Sequence, residues 1–543
     1  TRRIREPLPW LFDEIAKNEP TRLYCSVPKV ATDLSQGYRD VAFPEVARAI
    51  NRYCVLIEQQ IGRNESNSLS TVCYVGVQDP RCHFVNMALQ KLGHTLLLSA
   101  PRNSLPMHLN LFDHTECKTL IYDSAIDPKQ IVGGRDVKLI LSPTLEEILD
   151  PRGPEPPHYP FTKTWEEIKT KPLCILHTSG STGMPKPIHV THAFVACGSE
   201  AAYLPEFMGH RQLLSEICRV PGRRLYVSFP PFHVGGLIAG FGVTVYANVC
   251  VVFGPPHLPP MGDVVLDVMK HANIKNMLSI PAPMMELAKS KEGMEYLAKM
   301  DWVLFGGGPV DKAAGDAISK VTHIQTLLGS TECHFSGLQF FNNPEERHEW
   351  DTFHFMPNQP GIEFRERSPG IFELVYVRMP ETEDLHAVWK TFPQFTEYPS
   401  KDLLSRHPDP KQSHRWKFES RTDDLIAFAN AGKYNPLAYE ESMVSNPIIR
   451  GALMAGSMRP CASLLLELTE PVPTDDPKRY EELLEKVWPT IHAANLDAPK
   501  HAFIRKEMVL LATSAKPFDR ASKGTVVRGR TLKLYESEID ALY

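Results

Sequence analysis

The chain has 543 residues, of which 43% are hydrophobic and 23% charged, and its net charge is −5 at pH 7. This length exceeds what one compact core supports and predicts at least two domains, and the composition excludes the disordered and fibrous classes. Because the net charge is slightly negative, the chain lacks the strong positive field that would attract nucleic acid, so we expect no nucleic-acid partner.

The eleven cysteines are scattered, without a CxxC pair or a regular spacing. This pattern predicts neither a disulfide framework nor a zinc site and favours a cytoplasmic protein. The uncharged residues 237–254 have the nominal length of a membrane span. Because their second half is rich in β-branched residues, we expect instead a buried helix end followed by a buried parallel strand, and no membrane partner.

Short apolar runs alternate with helix-like stretches in the first part of the chain. Strands are predicted within 70–77, 94–100, 118–123 and 137–142, and a helix within 44–61. This alternation is typical of α/β units on parallel sheets. A proline-rich connection is predicted at 150–160, more strands between about 340 and 420, and a separate block with charged helices after them.

The strongest motif follows an apolar strand predicted at 173–176. Its residues are Thr178, Ser179, Gly180, Ser181, Thr182, Gly183 and, after Met-Pro, Lys186. Glycines and small hydroxyl residues let the backbone fold closely round an anion, and the lysine adds a positive charge. The spacing is neither that of a Walker loop nor that of a dinucleotide fingerprint. The motif therefore predicts a phosphate-binding loop of another kind.

TSGSTGMPK resembles the phosphate-binding signature of the adenylate-forming superfamily, which includes acyl-CoA synthetases, luciferases and nonribosomal peptide synthetase adenylation domains. Further motifs follow in the family's order: FHVGG at 232–236, FGGGP at 305–309, LGSTE at 328–332, RTD at 421–423 and KG at 523–524. The resemblance implies an α/β fold with a large N-terminal core of parallel-rich sheets flanked by helices (1–422). A small, mobile α+β C-terminal subdomain (423–543) would follow it.

The resemblance also implies which residues bind ATP and Mg²⁺. The phosphate loop would hold the phosphates, Gly307, Gly308 and Pro309 would lie against adenine, and Asp402 and Arg421 would hold the ribose. In the segment Leu328, Gly329, Ser330, Thr331 and Glu332, the threonine would contact the α-phosphate and the glutamate would help to hold Mg²⁺. Leu328 stands where the family has an aromatic residue.

Attack of a carboxylate on the α-phosphate of ATP brings two anions together, so the site must supply cations and N–H donors. Lys186 and Lys523 are the lysines that the resemblance places there. It further implies that the C-terminal part rotates about Asp423 after adenylation, which removes Lys523 and admits a thiol.

The FHVGG motif, which the resemblance places at the acyl pocket, indicates which acid is activated. Family members that activate amino acids carry an aspartate after its phenylalanine, whereas here His233 follows Phe232. Since an imidazole cannot pair with an α-ammonium group, an aryl, α-keto or other carboxylic acid is favoured, unless His233 only packs beside Phe232. The other predicted pocket residues form a mostly apolar wall suited to a ring: Leu237, Leu304, Gly306, Leu327, Phe335 and Ser336.

Taken together, LHTSGSTGMPKPI, FPPFH and the segment 421–440 are most similar to adenylation domains of fungal nonribosomal peptide synthetase-like enzymes. This implies a domain of a longer polypeptide that passes its acyl group to the phosphopantetheine thiol of a carrier domain, with a reductase or thioesterase domain beyond. A stand-alone acid:CoA ligase is the alternative. A non-catalytic module with the same fold is a third, against which Lys186, Glu332 and Lys523 argue.

Overall fold

The protein, described by a computed structural model, is built on two large parallel-rich sheets, a five-stranded antiparallel sheet and a small C-terminal sheet. The described residues are 5–66, 68–179, 184–201, 204, 206, 209–335, 338–341, 343–356, 358–422, 424–429, 433–470, 472–473, 476–499, 502–520 and 526–543. The strands are β1 (Leu23–Pro28), β2 (Tyr38–Ala42), β3 (Thr71–Val75), β4 (Thr95–Leu98), β5 (Thr119–Tyr122), β6 (Lys138–Leu141), β7 (Pro172–Ser179), β8 (Pro185–Thr191), β9 (Arg211–Gln212), β10 (Arg224–Val227), β11 (Cys250–Val252), β12 (Asn276–Ser279), β13 (Trp302–Gly306), β14 (His323–Leu327), β15 (Gly329–Ser330), β16 (His334–Phe335), β17 (Gln339–Phe340), β18 (Thr352–His354), β19 (Ile362–Ser368), β20 (Ile371–Val377), β21 (Glu397–Arg406), β22 (Arg415–Arg421), β23 (Ile426–Ala427), β24 (Lys433–Tyr434), β25 (Ile449–Ala455), β26 (Ser463–Leu468) and β27 (Val509–Leu511). The α-helices are α1 (Leu8–Asn18), α2 (Phe43–Ile61), α3 (Arg81–Lys91), α4 (Leu105–Thr115), α5 (Lys129–Val132), α6 (Leu145–Leu149), α7 (Trp165–Ile168), α8 (His192–Ala201), α9 (Leu213–Cys218), α10 (Val234–Ile238), α11 (Gly262–His271), α12 (Pro281–Leu287), α13 (Lys291–Leu297), α14 (Lys312–Ser319), α15 (Val388–Thr391), α16 (Leu437–Val444), α17 (Pro477–Asn495), α18 (Arg528–Leu534) and α19 (Glu536–Asp540).

The seven-stranded sheet has the order β14-β13-β12-β10-β11-β1-β2, and only its edge strand β2 runs antiparallel to its neighbour. Four adjacent strands, β14, β13, β12 and β10, therefore place their carboxyl ends side by side. In open α/β sheets this edge is where ligands bind, because the loops that leave the strand ends carry the functional groups.

The six-stranded sheet has the order β6-β5-β3-β4-β7-β8 and is parallel except for the final pair, β7 and β8, which form an antiparallel hairpin. Its first four strands confirm those predicted at 70–77, 94–100, 118–123 and 137–142, and α2 confirms the helix predicted within 44–61. The largest cluster of buried apolar side chains includes residues of both large sheets.

The uncharged stretch 237–254 completes α10, continues as a π-helix over Ala239–Tyr246 and ends in β11. The predicted order of helix and parallel strand is confirmed, but the helix runs further into the β-branched half than expected. Thr244 Oγ1 donates a hydrogen bond to the Ala239 carbonyl (2.7 Å). This bond gives a partner to a backbone acceptor within the wider turns of the π-helix. Among the described residues, every helix is too short or too polar to cross a bilayer.

The predicted strands between about 340 and 420 form an antiparallel sheet with the order β18-β22-β21-β20-β19. The C-terminal block contains the sheet β25-β26-β27 and the helices α16 and α17, which share an apolar core of their own. The α/β architecture with a smaller α+β body at the C-terminus is therefore confirmed.

Candidate active site

The motif predicted to bind phosphate begins at the end of β7 and finishes in β8, and these two strands pair as a hairpin. Thr178 pairs with Lys186 and Ser179 pairs with Pro185, while residues 180–183 lie outside the described residues. The start of β8 is anchored, because Asn110 Nδ2 donates to the Pro185 carbonyl (2.8 Å). Lys186 is exposed, so its ammonium group is accessible from the solvent.

The loops after β10 and β12 are joined at the carboxyl edge of the seven-stranded sheet. Ser228 N donates to the Leu278 carbonyl (3.0 Å), and the backbone N–H of Ile280 donates to Ser228 Oγ (2.8 Å). These bonds hold the start of the segment that carries the FHVGG motif against the neighbouring strand.

His233 is the N-cap residue of α10. Its Nδ1 accepts a hydrogen bond from the Gly235 backbone N–H (3.3 Å), and its ring is stacked on Phe229 with centroids 5.7 Å apart. The half-buried imidazole is thus held in one orientation and also satisfies a helix-end donor. His233 has a structural role at this position, and the partly exposed ring leaves a binding role open.

At the end of β13 the chain enters a glycine-rich turn, in which Gly307 needs the freedom of glycine and Gly306 packs closely against the next strand. Gly307 has a φ of +84°, a conformation that residues with a side chain rarely adopt. Gly306 faces Leu327 across the β13–β14 ladder, where an added Cβ would lie 3.0 Å from the Cβ of Leu327. Gly308 is half-buried and Pro309 is exposed, so a flat ligand could lie against this backbone.

The LGSTE motif begins at the end of β14 and turns back as the β15–β16 hairpin. Leu328 is buried in an apolar cluster with Cys333, and Gly329 and Ser330 pair with the residues of β16. Ser330 Oγ accepts from the Cys333 backbone N–H (3.1 Å). Thr331 and Glu332 therefore occupy the turn of the hairpin, where both are half-buried.

Asp402 and Arg421 form an ion pair between neighbouring strands, with Arg421 Nη1 2.8 Å from Asp402 Oδ1. They lie close to the LGSTE hairpin. Burial raises the pKa of the Cys333 thiol, and the nearby carboxylates of Glu332 and Asp402 raise it further, while Arg421 opposes them. The structure therefore brings Glu332 and the Asp402–Arg421 pair into one electrostatic neighbourhood.

The predicted apolar wall comes together in the largest core cluster. Leu237, Leu304 and Leu327 are buried members of this cluster, and Phe232 and Phe335 pack against it from partly exposed positions. Among the described members of the wall, the two aromatic rings are therefore the partly exposed ones.

Several predicted site residues lie outside the described residues: Gly180, Ser181, Thr182, Gly183, Ser336, Asp423 and Lys523. Sequence reasoning also missed two residues. Thr391 Oγ1 donates to the Glu332 carbonyl (2.8 Å), and His334 lies buried next to Phe335. The only sequence signal for His334 is its position between Glu332 and the predicted pocket, and nothing local in the sequence indicates Thr391, which lies 59 residues beyond Glu332.

Comparison with known proteins identifies the family of this chain and two of its relatives. A sequence profile of the AMP-binding enzyme family matches residues 14–354, and a profile of the AMP-binding enzyme C-terminal domain matches residues 423–543. A carboxylic acid reductase of Neurospora crassa is 31% identical over 98% of this chain and 50% of its own length. An isocyanide synthase-NRPS hybrid of Aspergillus fumigatus is 30% identical over 99% of this chain and 33% of its own length. The chain thus spans half or less of these relatives.

Solved structures show the same fold. O-succinylbenzoate coenzyme A synthetase from Bacillus subtilis, in complex with AMP, has a TM-score of 0.67 at 16% identity and covers 97% of this chain and 98% of its own. ATP-bound MatB from Rhodopseudomonas palustris has a TM-score of 0.68 at 17% identity, with 98% and 100% covered.

Proposed function

The chain belongs to the AMP-binding enzyme family, and from that membership we propose that it activates a carboxylic acid with ATP as an acyl-adenylate. The acyl group then passes to the phosphopantetheine thiol of a carrier domain. The observation that most directly supports the first step is the grouping of Glu332 with the Asp402–Arg421 pair beside the carboxyl ends of β13 and β14. The carboxylate proposed to hold Mg²⁺ and the pair proposed to hold the ribose are then available on one edge of the sheet.

The first step requires charge neutralisation rather than a protein nucleophile. Lys186 would approach the phosphates from the β7–β8 hairpin, Thr331 would donate to the α-phosphate, and Lys523 would bridge that phosphate and the substrate carboxylate. The turn at Gly307 would receive the adenine. Pyrophosphate leaves as the acid's oxygen forms its bond to the α-phosphorus.

Glu332 suits Mg²⁺, because this ion keeps several waters and binds one or two carboxylates together with substrate phosphates. Glu332 is the only acidic residue between positions 329 and 335. No group of three or more His, Cys, Asp or Glu side chains within the described part of the chain is arranged to hold a metal by itself. When bound, the ion would offset phosphate charge, while the protein would contribute the single carboxylate.

The second step would need the C-terminal block to move. We assign residues 1–422 and 423–543 to the two bodies and Asp423 to the hinge, so that rotation withdraws Lys523 and opens a path for the thiol. The sequence similarity to a carboxylic acid reductase and an NRPS hybrid supports a carrier-bound thiol over free coenzyme A.

The acid is proposed to be an aryl or related acid without an α-amino group. His233 offers no anion for an α-ammonium, and the partly exposed rings of Phe232 and Phe335 suit an aromatic acyl group. A second candidate is an acid:CoA ligase, favoured by the fold shared with O-succinylbenzoate coenzyme A synthetase.

ATP–pyrophosphate exchange tests the proposal with benzoic, cinnamic, α-keto, betaine-like and α-amino acids. Exchange with a non-amino acid class is expected, and exchange confined to α-amino acids would refute the assignment of the pocket. The accepted acid is then offered with either coenzyme A or a phosphopantetheinylated carrier domain. Faster acyl transfer to coenzyme A would favour the ligase, whereas no exchange with ATP binding intact would favour a non-catalytic module.

A further inference from the structure

The short helix α15 packs against the hairpin that carries Glu332. Val388 and Trp389 of this helix are 0% and 1% exposed. They belong to the same apolar cluster as Leu328 and Cys333, which stand on either side of Glu332 in the chain. Because closely packed interiors are stiff and transmit displacement, the position of α15 is coupled to the position of the turn.

One hydrogen bond joins α15 directly to this turn. Thr391 Oγ1 lies 2.8 Å from the carbonyl oxygen of Glu332 and 3.4 Å from that of Ala387. A hydroxyl group has one proton to donate, so the nearer Glu332 carbonyl is the main acceptor. The Cys333 backbone N–H donates to Ser330 Oγ (3.1 Å) within the hairpin. The turn is therefore held by one hydrogen bond from the hairpin itself and by one from α15.

The residue that follows α15 in the chain contacts β21, the strand that carries Asp402. The ring of Phe392 is stacked on the ring of Tyr398, with centroids 5.2 Å apart and planes 15° apart. Tyr398 and Asp402 both belong to β21. The segment 388–392 thus contacts both the turn with Glu332 and the strand with one carboxylate of the pair assigned to the ribose.

Given the nucleotide and Mg²⁺ site of the proposed function, on which this step rests, we infer that Thr391 is a positioning residue for Glu332. Its hydrogen bond fixes the turn, so that the glutamate carboxylate is placed to bind Mg²⁺ together with the nucleotide phosphates. Without the bond the turn has more freedom, and part of the binding energy of the ion is spent on ordering it. The Asp402–Arg421 pair keeps its own contact, so the loss should be specific to the metal.

The test measures the affinity for α,β-methylene-ATP, an analogue that cannot release pyrophosphate, by calorimetry with Mg²⁺ and with EDTA. Mg²⁺ should tighten binding to the wild type. Thr391→Val replaces the hydroxyl by a methyl group of similar size and should reduce this gain about 3- to 10-fold, while the affinity in EDTA changes less than about 2-fold. Thr391→Ala removes the hydroxyl in another way and should give the same loss. Thr391→Ser keeps the hydroxyl and should recover the gain.

Thr322→Val is the matched control, because Thr322 Oγ1 also donates to a backbone carbonyl, that of Met300, over 2.8 Å. Thr322 is fully buried and precedes β14, at the end of the strand opposite to the LGSTE motif. Thr322→Val should lower the melting temperature at least as much as Thr391→Val and leave the gain from Mg²⁺ unchanged. In ATP–pyrophosphate exchange, Thr391→Val should raise the Mg²⁺ concentration for half-maximal rate and leave KM for the acid unchanged.

The outcomes separate this inference from the proposed function. An unchanged gain from Mg²⁺ in Thr391→Val, or an equal loss with Mg²⁺ and with EDTA, would overturn the positioning role and leave adenylation standing. Wild-type binding that does not depend on Mg²⁺ would overturn the role of Glu332 and the inference with it. Exchange with no acid would refute adenylation, and the binding measurements would still decide the role of Thr391.

Discussion

Replacing His354 by phenylalanine should make the folded protein less sensitive to acid. His354 is fully buried, with ring centroids 4.6 Å from Phe341, 5.1 Å from His414 and 5.8 Å from His210. Neither ring nitrogen has a hydrogen-bond partner among the described residues. Burial, together with the positive charge of Arg415 and the neighbouring imidazoles, lowers the pKa of His354 to about 2.

The size of the effect follows from linkage between proton binding and folding. The pKa of an unfolded-chain histidine is about 6.5, so the folded pKa is the lower one. The stability that the neutral ring contributes is therefore present above about pH 6.5 and is lost as the pH falls toward the folded value. Between about pH 7.5 and about pH 5.5 this loss amounts to about 1.4 kcal/mol. Phenylalanine does not titrate, and replacing His354 by it removes no hydrogen bond between the ring and a described residue.

Urea unfolding at the two pH values measures the free energy of unfolding for the wild type, His354→Phe and a control. His257→Phe is the control, because His257 is exposed and keeps its contact with water on folding. The stability of His354→Phe relative to the wild type should rise by about 1.4 kcal/mol at the lower pH. An unchanged difference would show that the ring is already protonated or hydrated in the folded state.

Three further changes test the site and its support. Lys523→Ala should abolish ATP–pyrophosphate exchange but spare acyl transfer from preformed adenylate, because we propose that the lysine serves the first step; equal loss of both steps would contradict this. His233→Asp should shift exchange toward α-amino acids by supplying an anion for the ammonium, and an unchanged substrate profile would limit His233 to capping and stacking. Arg81→Met should destabilise the protein by about 3–5 kcal/mol in denaturant unfolding, since it leaves the buried carboxylates unpaired; Arg81 Nη2 lies 2.8 Å from Asp79 and 2.5 Å from Asp123. A loss below about 1 kcal/mol would mean that water reaches them.

Patterns confined to a few neighbouring residues predicted the fold well. The runs of Val, Ile and Leu around positions 71–75 and 119–122 became buried parallel strands, because such strands cover both faces with apolar side chains. The stretch after Leu237 was harder, since β-branched residues near Val243 suggested a strand and the chain formed a π-helix. Packing in the interior outweighed local preference there.

The sequence by itself displayed the Ser- and Gly-rich motif predicted to bind phosphate, the order of the motifs and the apolar residues predicted for the pocket. These depend on residue type and spacing along the chain, which a single sequence displays. The tertiary structure alone decided that Asp402 faces Arg421, that His233 caps α10, and that Thr391 donates to the Glu332 carbonyl. Strand register, backbone φ and the partners of a backbone carbonyl depend on segments far apart in the chain. No local pattern encodes them, because they arise only when those segments pack together.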